Sequence, residues 1–431
     1  MSLKTSRRRF LRHAAAGSFG VWVASRAAFA QSGSPNEKLN LGVIGTSHRG
    51  GDNLSGVKSE NIVALCDVDD ALMEKAAKPF PKAVRYNDWR KLLERKDLDG
   101  VVVSTTDHCH AGPTLAALAL GKHVYCEKPL THTVEECRKV IEAAARAKKA
   151  TQMGTQIHAG DNYRRVVEFV RAGAIGTIRR VHVWVGGFYH GGDRPKETPP
   201  VPPTLHWDLW LGPAPVRPYH PCYHPAAWRG WWDFGGGMLA DMACHHMDIA
   251  YWALGLVRPE TVEAQGPPDH PESTPKWLIV DYQYPARGTQ PPVLLTWYHG
   301  GRRPPQFAEG KLPQWGNGTL FVGEKGMLLV DYDKHRLLPE ADFKDYQPPA
   351  KSIPQSIGHH QEWIRACKAG TPTTCSFDYS GPLAETVLLG NVAFRTGKKL
   401  IWDAPKLRAP NAPEAEKYIT KEYRKGWELT A

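Results

Sequence analysis

Short apolar runs alternate with helix-like stretches in the first third of the chain, and this alternation predicts a parallel sheet flanked by helices. The apolar runs predict strands at 39–44, 62–66, 100–104 and 123–126. Apolar residues at helical spacing predict helices at 50–58, 71–77, 89–94, 113–120 and 134–148. Strands that alternate with helices in this way are typical of a doubly wound α/β domain, which we place at residues 38–156.

The pattern changes after residue 156, where several strands follow one another without helices between them. Strands are predicted at 178–185, 277–284, 293–297, 318–322 and 326–330, and helices at 163–172, 238–254, 359–367 and 381–396. Consecutive strands favour antiparallel pairing. We therefore expect residues 157–403 to form an α+β domain with a large open, mostly antiparallel sheet, followed by a C-terminal tail at 404–431.

The first 30 residues have the pattern of an export signal, and residues 31–37 that of a polar linker. Ser6-Arg7-Arg8-Arg9-Phe10-Leu11 is a twin-arginine motif, and Ala28-Phe29-Ala30 supplies small residues for cleavage. A membrane anchor is the alternative, but a span needs about 20 apolar residues, and Arg26 interrupts this stretch. We therefore expect a bacterial periplasmic protein, carried by the twin-arginine export machinery and not membrane-spanning when mature.

Charge and cysteine content narrow the class of protein further. The formal net charge is +11, but part of the excess lies in the first 30 residues and the rest is spread without a dense basic run. We therefore expect no nucleic-acid partner. Several of the eight cysteines lie inside apolar runs, where cysteine behaves as a small buried hydrophobe. A disulfide framework is not expected, although a single bridge stays open.

The first predicted strand leads into Gly45-Thr46-Ser47-His48-Arg49-Gly50, a variant of the dinucleotide-binding fingerprint. Gly45 permits the tight turn, Gly50 permits close packing of helix on strand, and the helix start receives the pyrophosphate. Ser47 replaces the middle glycine. Asp67 ends the second strand 22 residues after Gly45, where an acid binds the adenosine ribose. No arginine stands near Asp67 to receive a 2′-phosphate, so NAD is favoured over NADP.

Two further motifs carry candidate catalytic groups. Lys128, in Cys126-Glu127-Lys128-Pro129, follows a predicted strand at the edge where open parallel sheets bind ligands. Asp241, His245 and Asp248 fall at i, i+4 and i+7 of one predicted helix and therefore on one face. A carboxylate that orients an imidazole and raises its proton affinity makes a general base. Zinc is the competing interpretation, but no third ligand stands at suitable spacing, so no metal is expected.

Together these motifs resemble the Gfo/Idh/MocA family (glucose–fructose oxidoreductase / inositol dehydrogenase). The resemblance implies a Rossmann nucleotide domain and a second domain whose sheet forms a dimer or tetramer interface. It carries the family's catalytic set over to Lys128, Asp241 and His245. It also implies a set of cofactor-binding residues: Gly45, Thr46, Ser47, Arg49, Gly50, Asp67, Thr105, His108, His110, Glu127, Lys128, Pro129 and Gln156.

The resemblance extends to exported members of the family through a segment rich in tryptophan. Residues 187–235 are rich in Pro, Gly, Trp and His without any period, and five tryptophans lie within 26 residues. They either pack in a core or present flat faces to sugar rings. On the second interpretation Trp228 and Arg229, together with Asp248 of the helix, contact a substrate.

The function implied is hydride transfer between a sugar or polyol hydroxyl carbon and a nicotinamide cofactor. Because the periplasm offers no dependable pool of NAD(H), the cofactor is expected to be tightly bound. Two alternatives remain open. One is an NAD-dependent glycosidase acting by transient sugar oxidation, although those relatives carry Thr-His-Gly in place of the Asp-x-x-x-His helix. The other is a carbohydrate-binding pseudoenzyme, against which Lys128, Asp241 and His245 argue.

Overall fold

The computed structural model describes residues 37–429, so the predicted export signal lies outside the described residues. Six parallel strands form the first sheet in the order β3-β2-β1-β4-β5-β6, which confirms the predicted doubly wound domain. The strands are β1 Asn40–Ile44, β2 Asn61–Cys66, β3 Val84–Tyr86, β4 Gly100–Val103, β5 His123–Glu127 and β6 Thr151–Gly154. Strands β3 and β6 were not predicted, because three or four residues carry too little apolar pattern.

The helices of this domain follow the predicted pattern. They are α1 Arg49–Gly56, α2 Asp70–Ala77, α3 Trp89–Leu93, α4 Ala111–Ala119 and α5 Val134–Ala147. Helix α5 shows why the boundaries fall where they do. The Thr133 hydroxyl accepts from the N–H of Glu136, whose carboxylate accepts from the N–H of Thr133, and this capping box starts the helix.

The second sheet has eight strands in the order β13-β12-β11-β7-β10-β9-β8-β14. They are β7 Ile178–Val185, β8 Thr261–Gln265, β9 Leu278–Tyr284, β10 Val293–His299, β11 Asn317–Gly323, β12 Gly326–Val330, β13 His335–Leu338 and β14 Leu400–Ile401. Only β7 and β10 pair in parallel, so the expected mostly antiparallel sheet is confirmed. Burial alternates along β9, as it does when a strand packs one face on a core.

Helices of the second domain pack on this sheet and reach back to the first domain. They are α6 Asp161–Arg171, α7 Trp207–Leu211, α8 Gly237–His246, α9 Asp248–Leu254, α10 His359–Ala369, α11 Phe377–Thr396 and α12 Glu416–Ile419. Helix α11 packs against α5, α8 and β8, and so joins the two domains. Within residues 37–429, no helix combines the length and apolar character needed to cross a bilayer.

Two features of this layout correct the sequence-based expectations. The single helix predicted at 238–254 is interrupted at Met247, so α8 and α9 are separate and the periodicity of one does not orient the other. Helix α10, predicted within the second domain, packs its Trp363 and Ile364 on strands of the first sheet. The boundary at residue 156 therefore separates the two sheets but not their cores.

Candidate functional site

The glycine loop after β1 has the close approaches that a dinucleotide loop needs. Gly45 has φ +83°, and a Cβ there would lie 2.3 Å from the carbonyl oxygen of Ser104. A Cβ on Gly50 would lie 2.3 Å from the carbonyl oxygen of Gly45. His48, with φ +49°, is a second position of positive φ in the loop, whereas Ser47 is not one. Serine at the fingerprint's middle position therefore needs no glycine conformation, and the strain is held one residue later.

A cavity of about 200 Å³ runs from this loop to the end of β2 and has the place and lining of an adenosine site. Asp67 lies in its wall, where its Oδ2 accepts from the backbone N–H of Thr46 at 2.8 Å and from its hydroxyl at 2.9 Å. Its Oδ1 accepts from the N–H of Asp69 at 3.1 Å. These bonds fix the carboxylate at the edge of the sheet, and Asn87 and Trp210 line the same cavity.

A second cavity of about 540 Å³ continues from the same loop and brings together the three predicted catalytic side chains, Lys128, Asp241 and His245. The Lys128 ammonium donates to the Asp241 carboxylate at 2.5 Å and to its backbone carbonyl at 2.8 Å. Arg229 Nε donates to the same oxygen, Oδ1, at 2.9 Å. Tyr189 donates its hydroxyl to Oδ2 at 3.1 Å.

The charges around Asp241 determine its ionisation. Burial by itself raises the pKa of Asp241, but the cations Lys128 and Arg229 outweigh it and hold the pKa well below its usual range. Asp241 is therefore a permanent carboxylate that positions two cations.

Within residues 37–429, no group of three or more His, Cys, Asp or Glu side chains is arranged as metal ligands.

His245 lies in the wall of this cavity, and its environment differs from the expected one. The Asp241 charge raises the pKa of His245 as expected, but among the described residues no hydrogen bond from Asp241 orients the imidazole. Burial, with the Lys128 charge as the next cause, holds the pKa of His245 well below its usual range. The ring is therefore neutral and able to accept a proton. His246 faces away and stacks on Tyr332, with ring centroids 4.5 Å apart.

Glu127 and Gln156 connect the strand ends beneath this cavity. The buried Glu127 carboxylate accepts from Asn53 at 2.9 Å and from Gln156 at 2.7 Å. A Cβ on Gly154 would lie 2.4 Å from that carboxylate, so β6 needs glycine at this position. This bonding fixes the backbone that carries Lys128.

Not every predicted cofactor residue lies in a cavity wall. Gly45, Ser47, Arg49, Asp67, Thr105, Glu127, Lys128 and Gln156 line one or both cavities. Thr46, Gly50, His108, His110 and Pro129 do not. His110 is buried and joins the Thr105 carbonyl, at 3.1 Å, to the Pro129 carbonyl, at 2.7 Å. His108 lies between the carbonyls of Trp210 and Phe234. These two histidines are buried, bond to backbone carbonyls of the loops, and line neither of the two cavities.

Asp248, predicted to contact substrate, is fully buried outside the cavity. Its carboxylate accepts from the hydroxyl of Tyr379 at 2.6 Å and lies 2.9 Å from Nδ1 of His158. The helix break at Met247 removes it from the face that carries Asp241 and His245. Asp248 therefore joins α9 to His158 and Tyr379 in the protein interior.

Most of the tryptophans also belong to a core. Trp207, Trp210, Trp228 and Trp231 pack with Leu205, Leu211, Ala214, Tyr223 and Phe234 in one apolar cluster. Trp232 packs in the main core. Trp228 alone of the five lines the larger cavity, where the Arg229 guanidinium lies 4.3 Å from its ring centroid. Core packing therefore accounts for most of them, and Trp228 and Arg229 keep their candidate substrate positions.

Three residues of the site were not among the predicted site residues. Asp107, Tyr189 and Tyr332 all lie beside Asp241 or His245. Asp107 stands two residues after Thr105, which was a signal that it lay near the cofactor. Tyr189 and Tyr332 are remote in sequence, and only the fold brings them to α8.

The tryptophan-rich segment, residues 187–235, lies across the mouth of the smaller cavity. Its Thr204 carbonyl accepts from the N–H of Asp70 at 2.8 Å, and the N–H of His206 donates to the carbonyl of Val68 at 2.8 Å. His224 lies 3.2 Å from the carboxylate of Asp69. The segment thus binds to the end of β2 over the candidate adenosine site.

The C-terminal tail, residues 404–429, fastens this segment to the first domain. Arg424 donates to the carbonyls of Gly212, at 2.9 Å, and Asp208, at 2.8 Å, and pairs with the Asp208 carboxylate. Lys421 pairs with the buried Glu136 of α5 at 2.7 Å. The tail thus touches both the nucleotide domain and the segment that covers its cleft.

Comparison with known proteins agrees with this architecture. Residues 39–155 match the model of an oxidoreductase family's NAD-binding Rossmann fold, and residues 164–296 match its C-terminal alpha/beta domain. Inositol 2-dehydrogenase of Salmonella typhimurium is 30% identical over 196 residues, 42% of this chain and 56% of that protein. A glycosyl hydrolase family 109 protein of Solibacter usitatus is 34% identical over 194 residues, 41% of this chain and 44% of that protein. The chain thus spans about half the length of the curated relatives it matches.

Solved structures share the whole fold at low sequence identity. The WlbA dehydrogenase from Bordetella pertussis, in complex with NADH and UDP-GlcNAcA, has a TM-score of 0.61 at 16% identity, covering 85% of this chain and 99% of that one. The aldose-aldose oxidoreductase from Caulobacter crescentus has a TM-score of 0.58 at 18% identity, covering 85% of this chain and 100% of that one. These likenesses concern the fold.

Proposed function

Because the chain belongs to the Gfo/Idh/MocA family of oxidoreductases, we propose that it transfers a hydride between a hydroxyl-bearing carbon of a sugar or polyol and a nicotinamide cofactor. One observation carries this proposal. Lys128, Asp241 and His245 converge in the wall of a cavity that continues from the glycine loop. A proton acceptor, a cation and a carboxylate thus stand together where the substrate carbon would meet the cofactor.

The residues present fit a dinucleotide. Gly45 and Gly50 leave room for the loop, and Asp67 lies where the adenosine ribose would be held. Among the residues that line the smaller cavity, none but Arg49 and Arg229 is a lysine or arginine, and neither is adjacent to Asp67 in sequence. We therefore propose NAD rather than NADP. When bound, this cofactor supplies the hydride acceptor or donor.

The residues of the larger cavity divide the proton chemistry between them. His245, held neutral by burial, accepts the hydroxyl proton of the substrate. The Lys128 ammonium spends two hydrogen bonds on Asp241, which leaves its third N–H for the developing alkoxide. Asp241 orients Lys128 and Arg229.

We further propose that the cofactor is retained tightly and that the protein is exported to the periplasm. The twin-arginine motif at Ser6–Leu11 supports export, because that route carries folded, cofactor-loaded proteins. The tryptophan-rich segment supports retention because its residues line the candidate adenosine site, and the C-terminal tail supports it because Arg424 holds that segment. A sugar oxidised in one half-reaction must then be matched by a reduction on the same cofactor, either of a second sugar or of the same one.

A homo-oligomer, dimer or tetramer, is proposed on the resemblance and on the open eight-stranded sheet. Light scattering, which measures the mass of the assembly in solution, tests the proposed oligomer. A monomer at micromolar concentration would reject this part of the proposal.

The glycosidase alternative is favoured by one observation, the 34% identity to a glycosyl hydrolase family 109 protein. Transient oxidation of a sugar would use the same His245 and Lys128. Release of nitrophenol from nitrophenyl glycosides, with no net change in cofactor redox state, would distinguish it from the oxidoreductase.

The experiment that tests the main proposal begins with protein as purified. Mass spectrometry of the denatured sample is expected to release NAD(H) in about equimolar amount, with none added. Absorbance of the bound nicotinamide is then followed as glucose, myo-inositol and other polyols are added. Empty protein that binds NAD weakly would reject tight retention, and no redox change with any polyol would reject the oxidoreductase.

A further inference from the structure

Asp107 lies in the wall of the larger cavity, but no role has been assigned to it. It begins a short 3-10 helix, Asp107–Cys109, directly after β4 and the loop residue Thr105. The same wall holds Lys128 and His245. The Asp107 side chain is almost entirely buried, at 4% exposure.

No side chain of the described residues donates a hydrogen bond to this carboxylate. The two cations near it, Lys128 and Arg229, are both bonded to Asp241 instead. Burial raises the pKa of Asp107 to about 7, and Arg229, Lys128 and the backbone N–H of Gly236 offset the effect only in part, while Asp241 adds to it. Among the described residues the backbone N–H of Gly236 is thus its one hydrogen-bond donor, and a carboxylate in a cavity wall keeps further acceptor capacity for a ligand.

We propose that Asp107 is the substrate-binding carboxylate of this cavity, accepting hydrogen bonds from two adjacent hydroxyl groups of a sugar or polyol. This inference rests on the proposed function and deepens it. The two oxygens of a carboxylate match the spacing of a vicinal diol, and each oxygen can accept a hydrogen bond from a hydroxyl group. Trp228 lines the same cavity and offers an apolar face to the C–H groups of the ring.

The proposal names a class of substrate. The reacting carbon is the one that lies next to His245 and Lys128. The neighbouring carbons of the substrate carry the hydroxyl groups that hydrogen-bond to Asp107. A monodeoxy analogue lacking one of these hydroxyls forfeits a bond to Asp107 and leaves the carboxylate partly unpaired, which a site built for that hydroxyl penalises strongly.

The test compares Asp107→Ala and Asp107→Asn with the unaltered protein, using glucose, 2-deoxyglucose, 3-deoxyglucose and myo-inositol as probes. For a full diol, kcat/KM is expected to fall about 10–100-fold in Asp107→Ala, mainly through KM. For the deoxy sugar that lacks the hydroxyl read by Asp107, the fall is expected to be several-fold smaller. Equal falls for all sugars, or none, would overturn the assignment.

Controls separate binding from folding. Asp193→Asn removes a carboxylate that is 99% exposed on the same tryptophan-rich segment, and it is expected to leave every constant unchanged. Bound NAD content and melting temperature are measured for each variant. Loss of bound NAD in the isosteric Asp107→Asn would place Asp107 in the cofactor site and overturn the assignment.

A second readout distinguishes this inference from the proposed function. Calorimetric titration of the same four sugars into the cofactor-loaded protein measures binding without turnover. If sugars bind with a preference that depends on Asp107 but cause no redox change, the proposed oxidoreductase activity is rejected and the substrate-binding role of Asp107 is kept. Turnover that is indifferent to Asp107 would do the reverse, and absence of both binding and turnover would reject the two together.

Discussion

At the scale of single residues, the site depends on how one buried carboxylate is shared. Asp241 accepts from Lys128, Arg229 and Tyr189, so its two oxygens are occupied by groups other than the imidazole. His245 is consequently a neutral base tuned by burial rather than by an acid partner. A neutral imidazole at neutral pH is the form that can take a proton from a substrate hydroxyl.

The two adjacent histidines of α8 provide a matched pair for testing this. His245→Ala is expected to lower kcat by about 10²–10⁴ while bound NAD stays in place, because only a proton acceptor is lost. His246→Ala removes a ring that does not line the cavity but stacks on Tyr332, which does, and it is expected to affect stability more than turnover. Steady-state kinetics with NAD content measures both. Turnover lost in His246→Ala and kept in His245→Ala would show that the helix presents its other face.

The proposed preference for NAD over NADP rests on Asp67. Asp67→Ala is expected to weaken NAD binding more than NADP binding, because the carboxylate both holds a ribose diol and repels a 2′-phosphate. The measurement is titration of protein stripped of cofactor with each dinucleotide. Asp69→Ala serves for comparison, since Asp69 caps α2 through the N–H groups of Ala71 and Leu72. Equal losses of affinity for NAD and NADP in Asp67→Ala would mean that Asp67 only supports the loop through its bonds to Thr46.

At the scale of elements, the tryptophan-rich segment and the C-terminal tail act as one cover. The segment packs an apolar cluster of its own and bonds to the residues after β2. The tail holds it through Arg424, and is itself held by Lys421 on Glu136 and by Arg90, whose guanidinium lies 4.2 Å from the Trp427 ring centroid. The cleft can therefore open only if these contacts part.

Arg424→Ala is expected to speed release of bound NAD about tenfold. This factor corresponds to the loss of roughly 1.4 kcal/mol of interaction between the tail and the tryptophan-rich segment. Lys421→Ala is expected to act in the same direction. The exposed Arg336, paired with Glu340 on the second domain, gives a matched control in Arg336→Ala. Release is followed by chasing bound cofactor with a fluorescent analogue. An unchanged rate in both tail variants would mean that the tail does not hold the cover closed.

At the scale of the whole molecule, the two domains form one packed unit. Helix α10 completes the core of the first domain, and α11 joins α5 to the second sheet. Arg138 of α5 forms a two-pronged pair with the fully buried Glu385 of α11. Neither domain would have a complete core alone. The proposed twin-arginine route, which carries folded proteins, suits a molecule of this kind.

Replacing Arg7 and Arg8 together by lysine is expected to leave the protein in the cytoplasm with its leader uncleaved. Lysine keeps the charge but not the guanidinium fork that a paired-arginine signal presents. Cell fractionation and the mass of the protein check this, with Arg9→Lys as the control outside the pair. Normal export and cleavage of the double variant would point to a different route.

The sequence by itself determined the fold class and most of the chemistry. Strand–helix alternation and the glycine loop are local patterns, and they predicted the first sheet, the loop and the position of Asp67. Lys128, Asp241 and His245 were identified by resemblance, from two short motifs 113 residues apart. Short strands such as β3 and β6 escaped because three or four residues hold too little pattern to exceed local propensity.

The tertiary structure alone decided which groups contact one another. Helical periodicity placed Asp248 beside His245, but the interruption at Met247 turned it to His158 and Tyr379. Tyr189 and Arg229 meet Asp241 from a segment without any period, and Asp107 lies in the cavity wall with no side-chain donor among the described residues. Ionisation of His245 and Asp107 follows from burial and neighbouring charge, and both arise only once chain segments distant in sequence pack together.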